Sequence, residues 1–327
     1  MVLIISRSQV KSLVTMAESI DAVENAFREL ARGTAEMPTR VSMNLPGKEG
    51  WLGVMPAFLS QAASLATKIV TVYPNNTTHH GLPNVLAVII LNNAETGLVE
   101  AVLEGSYITA VRTGAVAGVA TRHLARKNAT KLGIFGCGVQ GGTQLEAVCQ
   151  VRKISSVLVY DSDKSRAQDF VSKYSSRIKV QAVEKPEEVA GGSEIIATAT
   201  TSPTPVFNGA DVNSGTHINA IGAFTPDSRE LDDRTISKAK IVVDSLPAAL
   251  EEAGDIIIPL RNGTISRESI WAELGEIVIG SKPGRATDEE ITVFKSLGLG
   301  IQDAAVARLV FEKARTNHVG TEVRLTD

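Results

Sequence analysis

The fold is decided by one stretch, Lys131–Gly141, which reads KLGIFGCGVQG. It places an apolar run before the pattern Gly136-x-Gly138-x-x-Gly141, at the point where a helical pattern begins. The next apolar run ends in Asp161, twenty-three residues after Gly138. In a strand, turn, helix, strand unit of this kind the glycine backbone and the helix N-terminus hold a pyrophosphate, and the acid accepts hydrogen bonds from ribose hydroxyls. The stretch therefore predicts a Rossmann dinucleotide site; the alternative is a glycine turn that only tightens packing between strand and helix.

Asp161 also bears on which dinucleotide is bound. Its carboxylate would repel a 2′-phosphate, which favours NAD(H) over NADP(H). Lys164 and Arg166 follow closely in the chain and could offset that repulsion. We therefore expect NAD(H) as the cofactor and leave NADP(H) open.

Beyond this stretch the chain alternates between short apolar runs and helical or loop segments. Such alternation predicts an α/β Rossmann domain, a doubly wound parallel sheet with crossover helices. The predicted strands are Leu132–Phe135, Ser156–Tyr160, Lys179–Val183, Glu194–Thr198, His217–Ile221 and Lys240–Asp244.

Before residue 131 the pattern predicts a β-rich α+β domain instead. Thr15 and Glu18 have capping-box spacing at the start of an amphipathic helix that ends at Gly33. Small residues crowd a long helical stretch at 106–126, which indicates close packing. The predicted strands, separated by turns rich in Pro, Gly and Asn, are Met1–Ile5, Arg40–Leu45, Ala66–Tyr73, Asn84–Leu91 and Leu98–Leu103.

These patterns predict two domains. The first comprises residues 1–115 together with 309–327, and the second, the Rossmann domain, comprises residues 116–308. The return of the chain to the first domain rests on an amphipathic helical pattern at Ile301–Ala314.

Composition excludes several classes of protein. The 327 residues are 43% hydrophobic with a net charge of −3, which excludes disorder and leaves no excess of cations for a nucleic-acid partner. Val85–Leu91 is an apolar run of seven residues, against the roughly 20 of a membrane span. Cys137 and Cys149 form no disulfide framework, which predicts a reducing, cytoplasmic compartment. The five scattered histidines predict no metal site.

Three cations are the candidates for binding and protonating a substrate. On a strand, Lys68 shares a face with apolar neighbours, so desolvation would bring its pKa toward the range of a useful acid or base. The alternative is a lysine that snorkels at a sheet edge. Arg112 stands among small apolar residues, where a buried guanidinium requires an anion, either a ligand or a structural Asp or Glu. Arg40 shares a strand face with polar residues, and its surroundings alone indicate an exposed arginine.

Six motifs resemble the ornithine cyclodeaminase/mu-crystallin family, and the resemblance as a whole runs in order from about residue 15 to 315. They are Gly53–Ala57 (GVMPA), Thr67–Thr71 (TKIVT), Ile108–Thr113 (ITAVRT), Gly136–Gln140 (GCGVQ), Gly215–Gly222 (GTHINAIG) and Thr292–Gly298 (TVFKSLG). The resemblance implies a homodimer whose first domain carries substrate binding and dimerisation, followed by a Rossmann domain.

The resemblance also implies roles for single residues. Arg40 and Arg112 match the family's arginines around the substrate carboxylate, and Lys68 matches a lysine that contacts the substrate and transfers a proton. The expected cofactor site consists of Thr113, Gly136, Gly138, Val139, Gln140, Gly141, Asp161, Thr200 and Ser296.

Phe224 departs from the cyclodeaminase pattern. Cyclodeaminases, and the archaeal alanine dehydrogenases that resemble them, have an aspartate here, which handles the amine and water of deamination. A phenyl ring cannot move protons, so ornithine cyclisation loses its base. Asp227 and the run Glu230–Asp233 look more like the ketimine reductase branch, although Asp232 and Asp233 also suit a turn and a helix N-cap.

We therefore expect an NAD(P)H-dependent reductase that converts a cyclic ketimine acid, Δ1-pyrroline-2-carboxylate or Δ1-piperideine-2-carboxylate, to L-proline or L-pipecolate. One alternative is a dehydrogenase of L-alanine or another open-chain amino acid, with ornithine cyclodeaminase ranked below it. Another is a binding module, since mu-crystallin also stores hormone and cofactor. Retention of Lys68, Arg40 and Arg112 argues against a purely structural role.

Overall fold

The computed structural model describes residues 1–325. In chain order the strands are β1 (Val2–Ile5), β2 (Ala35–Glu36), β3 (Val41–Leu45), β4 (Gly50–Leu59), β5 (Ser64–Val72), β6 (Val85–Asn92), β7 (Val99–Glu104), β8 (Lys131–Phe135), β9 (Ser156–Tyr160), β10 (Lys179–Ala182), β11 (Ile195–Thr198), β12 (His217–Ala220), β13 (Ala239–Val243), β14 (Ile270–Glu273), β15 (Ile291–Lys295) and β16 (Thr321–Val323). The helices are α1 (Arg7–Leu13), α2 (Met16–Ala31), α3 (Asn76–His80), α4 (Gly105–Leu124), α5 (Val139–Val151), α6 (Lys164–Tyr174), α7 (Pro186–Gly192), α8 (Asp233–Lys238), α9 (Leu246–Glu252), α10 (Gly254–Arg261), α11 (Leu274–Val278) and α12 (Gly300–Thr316). A short 3-10 helix lies at Arg267–Ser269.

The chain divides into two compact units, Met1–Arg112 with Leu299–Asp327, and Thr113–Gly298. The C-terminal boundary differs from the predicted one between residues 308 and 309, which falls inside α12. This helix is continuous and packs on α2, β4 and β5 of the first unit. Because the helix is continuous and these packing partners all belong to the first unit, the whole helix belongs to that unit. The other boundary, predicted after residue 115, lies after Arg112.

The first unit is built on a mostly antiparallel sheet in the order β16-β1-β7-β6-β5-β4-β2, with β3 also paired to β4. The helices α2 and α12 pack on this sheet. β5 is a central strand, paired along its length with β4 and β6. The predicted capping box of α2 is present, since the Thr15 hydroxyl accepts a hydrogen bond from the Glu18 backbone N–H. The unit confirms the β-rich α+β prediction.

The longest strand, β4, is absent from the predicted set because it contains Gly53 and Pro56, which ordinarily break strands. The structure explains how the proline is tolerated. β3 pairs with the part of β4 before Pro56, and β2 pairs with Phe58 and Leu59 at the end of β4. Pro56 therefore opposes neither strand, and its missing N–H removes no ladder hydrogen bond there.

The second unit is built on an all-parallel sheet of eight strands in the order β10-β9-β8-β11-β12-β15-β13-β14. The order reverses between β8 and β11, which creates the crevice where doubly wound sheets bind ligands. The predicted Rossmann fold is therefore confirmed. β14 and β15 are absent from the predicted set, since both are short and β15 carries polar Thr292 and Lys295 within its apolar run.

Candidate functional site

Lys68 lies on the face of β5 that the first unit buries, in register with Met55 of β4 and Ile89 of β6. Its side chain is 1% exposed, and Nζ donates a hydrogen bond of 2.5 Å to Oδ2 of Asp303. β5 is not an edge strand and the amine does not reach water. The alternative of a snorkelling lysine is therefore wrong.

Arg112 meets the same carboxylate from α4. Its Nε lies 3.1 Å from Oδ1 of Asp303, and its Nη1 donates to Oε1 of Gln302 at 2.9 Å. The anion that the buried guanidinium requires is thus a side chain of the protein, one of the two alternatives that the sequence left open. Two buried cations share one carboxylate, so the cluster Lys68, Arg112 and Asp303 has an excess of one positive charge whenever Lys68 is protonated.

Burial first, and the positive charge of Arg112 second, change the acidity of Lys68. Burial and the neighbouring Arg112 guanidinium lower the pKa of Lys68 to about 7, although Asp303 opposes the shift. The positive charge of Arg40 contributes to the same lowering. A lysine with a pKa near neutrality can give or take a proton under physiological conditions, as a general acid or base must.

Arg40 precedes β3 and is half-buried. Its guanidinium lies over the Trp51 ring, 5.5 Å from the ring centroid, which is a cation–π contact. The arginine is therefore positioned by packing. The sequence around Arg40 indicates an exposed arginine, and the structure differs because the Trp51 ring covers part of the side chain.

Gln302 and Asp303, in the first turn of α12, are missing from the predicted site. Both are fully buried, and Nε2 of Gln302 has no hydrogen-bond partner within the described part of the chain. An adjacent Gln and Asp in the otherwise apolar first half of this helix, residues 300–307, is the signal that could have pointed to them. Their partners, however, lie 190 and more residues away in sequence, so no local pattern connects them.

The glycine turn of the second unit fits a dinucleotide. Gly136 has a positive φ of 93°, and a Cβ there would lie 2.4 Å from the Ala199 carbonyl oxygen. A Cβ on Gly141 would lie 2.1 Å from the Gly136 carbonyl oxygen, whereas a Cβ on Gly138 would meet nothing within 4 Å. The first and third glycines are therefore required by the turn and by close packing, and the open side at Gly138 permits a pyrophosphate to approach the backbone.

Asp161 stands where a ribose-binding acid is expected, at the end of β9. Its carboxylate accepts hydrogen bonds from the backbone N–H of Cys137, at 2.8 Å, and of Asp163, at 2.9 Å. The first contact ties the acid to the glycine turn. Val139, which begins α5, is 69% exposed beside the open side of that turn. Gln140 accepts a hydrogen bond from Thr143 through its side chain.

Three other predicted cofactor contacts also lie in the second unit. The Thr113 carbonyl accepts a hydrogen bond from the Gln144 side chain, at 3.3 Å. Thr200 follows β11 and Ser296 follows β15, so both lie at the carboxyl edge of the sheet, as does the glycine turn after β8. Their roles in cofactor binding stay predictions.

Phe224 lies on the loop after β12 and is 41% exposed, so it is not a core residue. Asp232 is the N-cap of α8, as the sequence allowed, and Asp227 is a surface residue 3.5 Å from Arg261.

Across residues 1–325 no group of three or more His, Cys, Asp or Glu side chains could hold a metal ion. No helix of the described chain is long and apolar enough to span a membrane.

Known proteins resemble this chain over almost its whole length. A solved structure described as Thermococcus litoralis Δ1-pyrroline-2-carboxylate reductase in complex with NADH and L-proline is 47% identical, with a TM-score of 0.96 over 98% of this chain and 100% of the other. An archaeal structure described as an alanine dehydrogenase dimer with bound NAD is 42% identical, with a TM-score of 0.94 over 99% of each chain. A Δ1-pyrroline-2-carboxylate reductase of Bacillus cereus is 40% identical over 98% of this chain and 99% of its own length.

The sequence pattern of one family covers nearly all of the chain, from residue 2 to residue 318. That range includes both the buried lysine cluster of the first unit and the glycine turn of the second. The family predicted from the six sequence motifs is therefore confirmed. This chain belongs to the ornithine cyclodeaminase/mu-crystallin family.

Proposed function

We propose that this chain is an NAD(P)H-dependent reductase that converts a cyclic ketimine acid, Δ1-pyrroline-2-carboxylate or Δ1-piperideine-2-carboxylate, to L-proline or L-pipecolate. The observation that carries the proposal is the fully buried amine of Lys68, with a pKa of about 7, in a cluster with an excess of positive charge. Relatives named for the same reaction, one of them in complex with NADH and L-proline, support it.

Reduction of an imine adds a hydride to carbon and a proton to nitrogen. The reduced nicotinamide of the cofactor supplies the hydride when it is bound. Lys68 supplies the proton, since a pKa near 7 leaves roughly half of the amines protonated at neutral pH. Arg112 and Arg40 hold the substrate carboxylate and so orient the ring before the transfer.

A panel of substrates with the purified protein tests the proposal. We expect oxidation of NAD(P)H with pyrroline-2-carboxylate or piperideine-2-carboxylate, and the matching imino acid as product. Ornithine should yield no proline, because Phe224 replaces the aspartate of the cyclodeaminases. Proline formed from ornithine with only catalytic NAD would contradict the proposal.

The alternative with direct support is an L-alanine dehydrogenase, since a structure described as an alanine dehydrogenase is 42% identical, between the 47% and the 40% of the two reductases. Phe224 favours the reductase, because deamination of an open-chain amino acid needs a polar group to handle ammonia and water. NADH oxidation with pyruvate that depends on ammonia and exceeds the rate with cyclic imines would favour the dehydrogenase.

We further propose that the protein is a homodimer formed through the first unit. The sheet face opposite Lys68 is apolar: Val54, Ile69 and Val88 lie abreast on β4, β5 and β6, and none is fully buried. On β3, Val41 and Met43 are 67% and 51% exposed. An exposed apolar face of this kind on an antiparallel sheet marks an interface. Light scattering should give twice the chain mass, and Ile69→Glu should give the monomer.

We also propose a reducing, cytoplasmic location for the protein. Cys137 and Cys149 are free thiols. Burial raises the pKa of Cys137 to about 12 and that of Cys149 to about 11, so neither forms the reactive thiolate readily. Fractionation of cells that express the protein, followed by thiol labelling, checks both the compartment and the reduced state.

A further inference from the structure

A second cluster of buried charges lies in the Rossmann unit and has no place in the reaction proposed above. Glu230, Asp255 and Lys295 are each 0% exposed. The cluster contains two carboxylates and one amine. It lies beneath the carboxyl edge of the sheet, since Lys295 is the last residue of β15.

Glu230 joins two loops that leave neighbouring strands. Its Oε1 accepts hydrogen bonds from the backbone N–H of Thr200, at 2.7 Å, and from the Thr200 hydroxyl, at 2.8 Å. Its Oε2 accepts from the Thr198 hydroxyl and from the backbone N–H of Gly222, both at 2.7 Å. Thr200 follows β11 and Gly222 follows β12, so one carboxylate holds both loops.

The packing around Glu230 extends this connection to the dinucleotide turn. A Cβ on Gly222 would lie 2.5 Å from Oε1 of Glu230 and 2.3 Å from the Thr200 carbonyl oxygen, so this glycine is required by close approach. A Cβ on Gly136 would lie 3.1 Å from the Thr200 methyl group. The Thr200 loop is therefore packed between Glu230 on one side and the glycine turn on the other.

Asp255 and Lys295 hold Glu230 in place. Oδ1 of Asp255 accepts from the backbone N–H of Glu230, at 2.8 Å, and of Leu231, at 2.9 Å. Oδ2 of Asp255 forms an ion pair of 2.9 Å with Nζ of Lys295. The same amine donates to the Ala223 carbonyl, next to Gly222. Both ends of the network thus return to the loop after β12.

Such a cluster is a costly way to stabilise a fold. Burial and the Asp255 carboxylate raise the pKa of Glu230, which shows that its ionised form is penalised. Apolar residues of the same volume often stabilise a protein as well as a buried ion pair does, or better. Unlike apolar packing, the charged network fixes the direction of the backbone N–H groups of Thr200 and Gly222, because each donates to an oxygen of Glu230.

We propose that Glu230, backed by Asp255 and Lys295, is a positioning residue of the dinucleotide site, which holds the loops after β11 and β12 in the conformation that accepts the cofactor. The inference rests on the proposed function, because it takes the glycine turn and Thr200 as the NAD(H) site. Glu230 itself does not contact the reacting atoms.

Glutamine cannot replace this glutamate, for a geometric reason. Each carboxylate oxygen accepts from one backbone N–H, that of Thr200 or that of Gly222. An amide has one oxygen and one NH₂ group, so in either orientation the NH₂ group faces a backbone donor. Glu230→Gln keeps the volume and releases one of the two loops.

Thr121→Val is a matched control in the same unit. The Thr121 hydroxyl accepts a hydrogen bond of 2.9 Å from the Asn219 side chain, and both residues are fully buried. The variant therefore loses a buried hydrogen bond of a similar kind without touching Glu230. Thr198→Val is a milder test variant, since it removes one hydroxyl donor to Oε2 and leaves both backbone contacts.

NADH binding and hydrogen exchange of the ligand-free protein test the inference. For Glu230→Gln we expect the NADH dissociation constant to rise on the order of tenfold, and for Thr198→Val about threefold, whereas Thr121→Val stays within about twofold of the wild type. Hydrogen exchange should speed up in at least one of the two loops, 199–204 or 221–226, in the Glu230 variant and in neither loop of the control.

The possible outcomes distinguish a failure of the proposed function from a failure of the positioning role of Glu230. If the wild type binds no dinucleotide, the proposed function fails. If the wild type binds NADH while Glu230→Gln binds it equally well with unchanged exchange at both loops, the positioning role is refuted. If Glu230→Gln does not fold, Thr198→Val replaces it as the test variant. A Thr198→Val protein that binds NADH as tightly as Thr121→Val does would then overturn the inference.

Discussion

The two units each bury a cluster of three charged side chains, but with opposite balance. Lys68, Arg112 and Asp303 in the first unit are two cations around one carboxylate. Glu230, Asp255 and Lys295 in the second are two carboxylates around one cation. The balance of charge therefore distinguishes a cluster suited to an anionic substrate from one that organises backbone.

The two clusters also differ in how completely their polar groups are used. Both oxygens of Glu230 accept two hydrogen bonds each, so that side chain has little capacity left for a ligand. Beside Arg112, by contrast, Nε2 of Gln302 finds no partner among residues 1–325 although it is buried. A buried donor that lacks a partner is costly unless a ligand satisfies it. The difference supports the two proposals, that the first cluster binds substrate and that the second positions the cofactor loops.

Removal of the Lys68 amine should have the largest effect. We expect Lys68→Met to lower kcat by about 10²–10⁴-fold with the cyclic imine, because no other acid replaces the amine as proton donor. Binding of NADH, measured by fluorescence titration, should stay within about twofold of the wild type. The exposed Lys173→Met serves as a control, and equal losses in both variants would contradict the assignment.

Removal of the Arg112 guanidinium should have the next largest effect. Arg112→Ala loses a charge-assisted contact to the substrate carboxylate and also one partner of Asp303, so we expect kcat/KM to fall about 10²–10³-fold. Arg112→Lys keeps the charge without the planar fork and should recover part of the loss. Steady-state kinetics check both, and an unchanged kcat/KM in the Ala variant would contradict the role of Arg112 in binding the substrate carboxylate.

Asp303→Asn should shift the pH dependence of kcat/KM and leave the affinity for NADH nearly unchanged. The Asp303 charge opposes the lowering of the Lys68 pKa, so its removal should move that pKa further below about 7. In the proposed reaction protonated Lys68 is the active form. Activity should therefore be lost as pH rises through this pKa, and the loss should begin at lower pH in the variant. The measurement is the pH dependence of kcat/KM, and a shift to higher pH would contradict the role of Lys68 as acid.

The smallest effect is expected at Asp161, whose charge is only half-buried and therefore better screened than either cluster. Asp161→Asn removes the repulsion of a 2′-phosphate, so the preference for NADH over NADPH should fall by roughly tenfold or less. KM values for both cofactors measure it. A wild type that already prefers NADPH would show that Lys164 and Arg166 outweigh the acid.

The sequence predicts the glycine turn of the second unit more completely than it predicts either charged cluster. The glycine turn, its strand and Asp161 lie within about thirty residues, so spacing alone predicts their arrangement. The functional interpretation of Lys68 needed the family resemblance, because its surroundings fitted an edge lysine equally well. The local sequence around Asp303 and Glu230 does not reveal their partners, since those partners come from other segments of the chain.

The sequence by itself determined the Rossmann unit, the β-rich unit and the family, because those depend on periodicity and on short motifs whose parts are neighbours in the chain. Only the tertiary structure decided that Arg112 is paired with Asp303, that α12 belongs entirely to the first unit, and that Glu230 holds two loops. The physical reason is that buried charges require partners, and a folded chain finds them wherever packing places a counter-charge, at any separation in sequence.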